Sequence, residues 1–224
     1  MKGNLNDWQN TQNDKYLTLL KKRLDQKILN WVDQFCDIIK SHDSVKYKRK
    51  LIINDFGCNV GHFYRGCFKL NKKFLYYGYD ISKTYLNIAK KRFKKNCKFK
   101  NLDFSKKKNL KKIVKSDISA ISATLEHINC YKNALENIFL KTNKLIILRT
   151  FVGKKNIKEY CYTAEAKEKY LIREFTLRVL TENKFQKGWK YNLFIDRATK
   201  GKLKFTCNRK KIPRRQILIV FSKK

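Results

Sequence analysis

Asp55, Gly57, Asn59, Gly61 and Asp80 are the residues whose types and spacing can do chemistry together. Leu51, Ile52 and Ile53 run into Asp55-Phe56-Gly57, and the turn closes with Asn59 and Gly61. A second apolar run, Phe74–Tyr79, ends on Asp80, nineteen residues after Gly61. Glycines let the backbone approach a ligand with no Cβ in the way. A carboxylate at the tip of the second run can take both hydroxyls of a ribose. The chemistry implied is recognition of a nucleoside cofactor.

Those residues meet only if two parallel strands and a crossover helix bring them together. In a βαβ unit the carboxyl ends of neighbouring strands lie side by side, so Asp55, the glycine turn and Asp80 converge on one crevice. The spacing narrows the ligand. Counted from Gly57, the third and sixth positions hold Asn59 and His62, so the dinucleotide pattern G-x-G-x-x-G is not met. No G-x-x-x-x-G-K-[ST] occurs, which removes the P-loop. What remains is Asp-x-Gly-x-x-x-Gly, a turn suited to a cofactor without phosphates. Asp55-Phe56-Gly57 also spells a kinase tripeptide, but no catalytic-loop or lysine-strand signature accompanies it.

IINDFGCNVG resembles the first motif of the class I S-adenosylmethionine-dependent methyltransferases, hhDhGCGxG, with Asn59 replacing the middle glycine. Asparagine is among the few residues that tolerate the left-handed region. The resemblance continues in register. Tyr77–Ser82 is similar to the second motif, Lys98–Asp103 to the third strand, Asp117–Ile128 to the FD-hhhs-xx-hLEHh motif, and Lys144–Val152 to the fifth strand. It covers residues 51–152 clearly and the remainder loosely.

The resemblance implies S-adenosylmethionine as cofactor and S-adenosylhomocysteine as product. It places Asp55, Gly57, Cys58, Asn59 and Gly61 against the methionine part, Asp80 and Ile81 at the ribose, and Leu102 and Asp103 at adenine. Thr124 and Leu125 follow at the end of the fourth strand. Glu126 and His127 are the catalytic candidates, His127 because an imidazole titrates near neutrality. Each has a plainer reading, as a residue that packs or orients the loop. His62, Arg149, Tyr160 and Tyr162 are candidates for the acceptor. Cys58 reads as a small apolar filler under the turn rather than a reactive thiol. Ala123-Thr124 stands where catechol-type enzymes carry metal ligands, so metal-independent transfer is expected. Neither an Asn/Asp-Pro-Pro-Tyr nor a Pro-Cys signature is present, and Pro213 is the only proline. These absences favour an oxygen, with nitrogen or carbon as alternatives, on a small-molecule or glycan acceptor.

Composition bounds the rest. A chain of 224 residues suits one α/β domain, 1–224, with residues 1–50 as a helical cap and 51–224 as a Rossmann-like core. The apolar runs are too short to span a bilayer, and the polar amino terminus carries no signal peptide. Seven cysteines without a C-x-x-C pair suggest neither a disulfide framework nor a zinc site, so a cytoplasmic location is expected. The formal charge of +36 comes from 54 basic against 18 acidic residues. Lysine outnumbers arginine about fourfold and is spread through every segment, as A+T-rich coding would produce. Salt-sensitive attraction to nucleic acid follows in any case, so an RNA methyltransferase stands as the alternative, with a non-catalytic cofactor-binding scaffold as a third reading.

The expected fold is a doubly wound, seven-stranded, mostly parallel sheet with an antiparallel last strand, helices on both faces and the helical cap. Strands are expected at 51–56, 74–80, 97–103, 117–123, 144–151, 191–197 and 216–222. Helices are expected at 61–70, 83–95, 106–116, 129–141 and 164–183.

Overall fold

The structure, a computed structural model, describes residues 14–161, 170–205 and 213–223. Tyr162 and part of the expected 164–183 helix lie outside the described residues. Strands β1 (Lys50–Phe56), β2 (Lys73–Asp80), β3 (Cys97–Asn101), β4 (Ser116–Ser122), β5 (Thr142–Gly153), β8 (Trp189–Ile195) and β10 (Pro213–Lys223) form one sheet in the order β3-β2-β1-β4-β5-β10-β8. β1 to β5 are parallel, while β10 runs antiparallel to both β5 and β8. The short β9 (Leu203–Phe205), inside the expected basic loop, adds to β10 and makes the sheet eight-stranded.

The central strands read as unbroken apolar runs because both faces of the sheet are covered. Along β5, Leu145 and Ile147 enter one core, and Ile146 and Leu148 the other. The first core is closed by α2 (Asn30–Ser41), α4 (His62–Cys67) and α5 (Lys83–Arg92), through residues such as Phe35, Phe63 and Leu86. α2 buries Val32, Phe35, Cys36 and Ile39, the i, i+3, i+4, i+7 stripe of an amphipathic helix. The second core is closed by α6 (Tyr131–Leu140) and by Phe104, Phe175 and Leu180. At the amino-terminal end α1 (Asp14–Asp25) seats Leu20 and Leu24 on Val60 and Tyr85, and the single turn α3 (Asp43–Lys46) leads into β1.

Several boundaries differ from expectation. The helix expected at 106–116 is a 3-10 segment over Lys107–Lys112. The larger correction lies after β5. There β6 (Ile157–Cys161) and β7 (Tyr170–Glu174) pair as an antiparallel hairpin, and helix α7 covers only Leu177–Thr181. Residues 164–183 are rich in Ala, Glu, Lys, Leu and Arg, all strong helix formers. Pairing with β6 buries Tyr170, Leu171 and Ile172 and overrides that preference. Among the described residues no helix is long and apolar enough to cross a membrane.

Candidate active site

The glycine turn sits at the carboxyl end of β1. Gly57 and Cys58 both donate their N–H groups to the carbonyl of Tyr79, at 2.8 and 3.1 Å, which docks the turn on β2. Gly57 has φ +76°, and a Cβ there would stand 2.3 Å from Thr124 Oγ1. Only glycine fits. Asn59 takes the left-handed φ of 52° and its Oδ1 accepts from Val60 N at 2.7 Å. An asparagine can therefore replace a motif glycine here because its own side chain caps the turn.

Asp80 ends β2 and faces the turn. Its Oδ2 accepts from Asn59 N and its Oδ1 from Ser82 N, each at 2.8 Å. A carboxylate has about four acceptor sites, so two remain for a ligand's hydroxyls. Burial pushes Asp80 up to about 6, against the pull of those backbone donors. Asp55 is raised further, to about 7, by burial and by the charge of Asp80, while the hydroxyl of Tyr76 donates to Asp55 Oδ2 and holds it back. Cys58 packs beneath the turn. A Cβ on Gly78 would lie 2.7 Å from its Sγ, and burial drives the thiol well above its usual range, which leaves it an inert filler.

These residues open onto a cavity of about 760 Å³, within the range of small-molecule sites. Asp55, Gly57, Cys58, Asn59, Asp80, Ile81, Leu102, Asp103 and Thr124 line it, as do His62, His127 and Arg149. Gly61 and Leu125 are not on its wall; Gly61 starts α4 and Leu125 is fully buried in the second core. At the far end Asp103 accepts from Ser105 N and Oγ at 3.0 and 2.6 Å, and Asn109 Nδ2 donates to its carbonyl at 2.9 Å. These bonds brace the loop after β3 where it lines the cavity.

The expected catalytic and acceptor residues divide. His127 Nδ1 lies 2.8 Å from the carbonyl of Leu171 on β7. A carbonyl can only accept, so Nδ1 carries the proton and Nε2 is the basic nitrogen of the neutral ring. Burial lowers the histidine's pKa and keeps the ring neutral. Glu126 points away from the cavity. It is buried, and its Oε2 accepts from Thr150 Oγ1 at 3.0 Å, a bond that ties the turn to β5. Arg149 reaches the wall, but Asp196 takes its Nε at 2.8 Å and its second nitrogen at 3.2 Å, and Gln216 accepts at 2.7 Å. Its charge is already matched within the protein. Tyr160 is on β6, paired opposite Leu171, and is not on the cavity wall.

Residues without a motif complete the enclosure. Tyr16, Leu20 and Arg23 of α1 and Trp31 of α2 also line the cavity, as do Lys106 and Lys112 near Asp103. Only the i, i+4 spacing of Tyr16 and Leu20 hints at this in the sequence.

Comparison with known proteins agrees with the geometry. Residues 54–142 match a family model described as a methyltransferase domain. No curated protein matches the chain. Among solved structures, the chain is similar to an S-adenosylmethionine-dependent methyltransferase from Clostridium acetobutylicum ATCC 824, at 14% identity over 94% of this chain and 98% of that one, with a TM-score of 0.60. It is similar to CalS10, an amino pentose methyltransferase from Micromonospora echinaspora involved in calicheamicin biosynthesis, at 11% identity over 93% and 97%, with a TM-score of 0.61. A third likeness is to the magnesium protoporphyrin IX methyltransferase of Synechocystis PCC 6803, solved with bound S-adenosylmethionine, at 14% identity over 86% and 78%, with a TM-score of 0.53. At such identities the structural likeness is one of fold.

Proposed function

We propose, for a chain that is a class I S-adenosylmethionine-dependent methyltransferase by its matched domain and its fold, that it methylates a hydroxyl of a small-molecule or saccharide acceptor. The observation that carries this reading is that Asp80, the glycine turn and His127 all line one cavity. The residues present fit the cofactor. Gly57 lets the turn pack against Thr124 with no Cβ between them, and Asp80 keeps acceptor sites for ribose hydroxyls.

When bound, S-adenosylmethionine supplies a methyl group on a positively charged sulfur, primed for in-line displacement. The protein's part is alignment, exclusion of water and removal of the acceptor's proton. Alignment of reacting groups is worth ~7–11 kcal/mol in favourable cases. Tyr16, Leu20 and Trp31 help to line the cavity, and the role of proton acceptor is assigned to His127, which lines it with Nδ1 beside the Leu171 carbonyl. A sugar acceptor is supported by the fold likeness to an amino pentose methyltransferase. RNA is the second reading, favoured by Lys106 and Lys112 at the cavity rim.

Calorimetric titration with S-adenosylmethionine and S-adenosylhomocysteine, beside Asp80→Ala, tests the cofactor. Saturable binding that the variant loses is the expected result; a folded protein that binds neither sinks the reading. Transfer of labelled methyl to sugar acceptors and not to RNA then separates the two acceptor classes.

A further inference from the structure

Most of the apolar surface left uncovered lies along one edge of the sheet. Among the described residues nine large apolar side chains are exposed, and six of them stand on β8 and β9: Tyr191, Leu193, Phe194, Ile195, Leu203 and Phe205. β8 is the last strand in the order, with β10 on one side and no strand among the described residues on the other. Cross-strand partners share a face. Tyr191, Leu193 and Ile195, opposite Phe221, Ile219 and Ile217, therefore form a row on the face of the second core. Phe194, opposite Leu218, stands on the other face. An open edge of this kind is a template for another strand, and proteins ordinarily blunt it with proline, bulges or several charges. β8 has no proline, an unbroken register with β10, and one charged residue, Lys190.

We propose that a second copy of the chain completes this edge, β8 pairing antiparallel with the partner's β8 about a two-fold axis beside Asn192. The strand, Trp189-Lys190-Tyr191-Asn192-Leu193-Phe194-Ile195, is its own complement in that register. Trp189 meets the partner's Ile195, Lys190 meets the partner's Phe194, and Tyr191 meets the partner's Leu193. Asn192 meets the partner's Asn192. Each pairing is of a favourable cross-strand type: aromatic on aliphatic twice, an ammonium against a ring, and two amides that can bond each other. A slip of one residue would set side chains of opposite faces against each other. Slips that keep the faces leave residues unpaired at the ends. This register alone pairs all seven, and an isologous contact of this kind closes as a dimer.

Charge sets the conditions under which the dimer forms. From residue 183 to residue 224 the chain has fourteen basic residues and a single acid, Asp196, which is buried against Arg149. Antiparallel pairing brings Lys184 and Lys187, before the strand, towards the partner's Lys200 and the partner's Lys202 beyond it. The ends of the seam repel while its middle is apolar. Such repulsion reaches ~30 Å at ~0.01 M salt but only ~10 Å at ~0.1 M. The dimer should therefore strengthen as salt is raised. A polyanion held by the same lysines would do the opposite, and Leu193, Ile195 and Leu203 offer a nucleic-acid base no ring to stack on. The proposal is independent of the cofactor reading.

Sedimentation equilibrium of the full chain over a wide range of protein concentration, at ~0.1 M and ~0.5 M salt, tests it. A reversible monomer–dimer equilibrium is expected, with the larger dimer fraction at the higher salt. Asn192→Lys sets two ammonium groups directly opposite each other and should weaken the dimer by ~5-fold or more; Asn192→Asp should do the same with two carboxylates. Asn192 is exposed, so both variants should melt as wild type does. Mixed, they should recover a dimer at least as tight as the wild-type one, because lysine then faces aspartate. A chain that stays monomeric at both salt concentrations overturns the proposal. So does a mixture that gains nothing over its components, or an association that forms only with added single-stranded oligouridylate and weakens with salt.

Discussion

Asp80 Oδ2 accepts the backbone N–H of Asn59 at 2.8 Å, so the tip of β2 is bonded to the apex of the turn that leaves β1. The residue that holds the turn in shape is thereby the one we propose for the ribose, so on that reading protonation of a single carboxylate should affect both turn geometry and ligand recognition.

Binding of S-adenosylhomocysteine should strengthen as pH rises from 5 to 8, because Asp80, raised to about 6, ionises across that window and a carboxylate accepts from hydroxyls better than a neutral acid. Isothermal titration at several pH values checks this. A flat profile in wild type, or the same slope in Asp80→Asn, would remove Asp80 from the ribose.

Stability without cofactor should move the other way. Asp55 and Asp80 both have folded pKa values above their ordinary range, so the native state holds protons that the unfolded chain releases. Their contribution is fully present below about pH 4 and is lost as pH rises towards 7, by at most ~1.4 kcal/mol per pH unit for each group. Thermal melts of wild type and Asp55→Asn between pH 5 and 7.5 should show a falling melting temperature in the first and a shallower fall in the second.

Gly57→Ala should cost ~1–2 kcal/mol for the left-handed backbone alone, and more because the new Cβ meets Thr124 Oγ1 at 2.3 Å. Denaturant unfolding measures the loss, and cofactor titration should show binding weakened with it. Gly57→Ala/Thr124→Ala removes both the hydroxyl and the methyl that crowd the site, at 2.3 and 2.5 Å, but keeps the strained φ, so only partial recovery is expected.

His127→Gln should lower kcat by ~10²–10⁴-fold at saturating cofactor and leave the Kd for S-adenosylhomocysteine unchanged. Because burial lowers the histidine's pKa, the acid limb of wild-type kcat should fall below the ordinary imidazole value near 6.5. An unchanged kcat would show that His127 only packs against Leu171 and Tyr170.

Asp196→Asn should destabilise the protein by ~3–5 kcal/mol, since it strands the buried guanidinium of Arg149. Arg149→Met/Asp196→Leu should recover much of that, as measured by urea unfolding. Should the double variant also keep full activity, Arg149 serves the fold and does not hold the acceptor.

The sequence by itself determines the half of the site that neighbouring strands build. Asp55 and Gly78 face each other across β1 and β2, and Phe56 faces Tyr79, so spacing along the chain becomes position in space through one parallel pairing. Apolar runs such as Leu145–Leu148 likewise announce a sheet covered on both faces, and Asn59 marks its left-handed turn by residue type alone. The other half depends on contacts distant in the chain. His127 owes its tautomer to a carbonyl 44 residues away, on a strand whose composition favours helix. Arg149, within β5, is neutralised by Asp196 from beyond β8. Leu20 and Leu24 of α1 settle on Val60 and Tyr85, and no periodicity along the chain specifies which neighbour a helix face will meet. Local backbone geometry is written in residue type and spacing; which distant groups share a pocket is decided by how the packed layers dock.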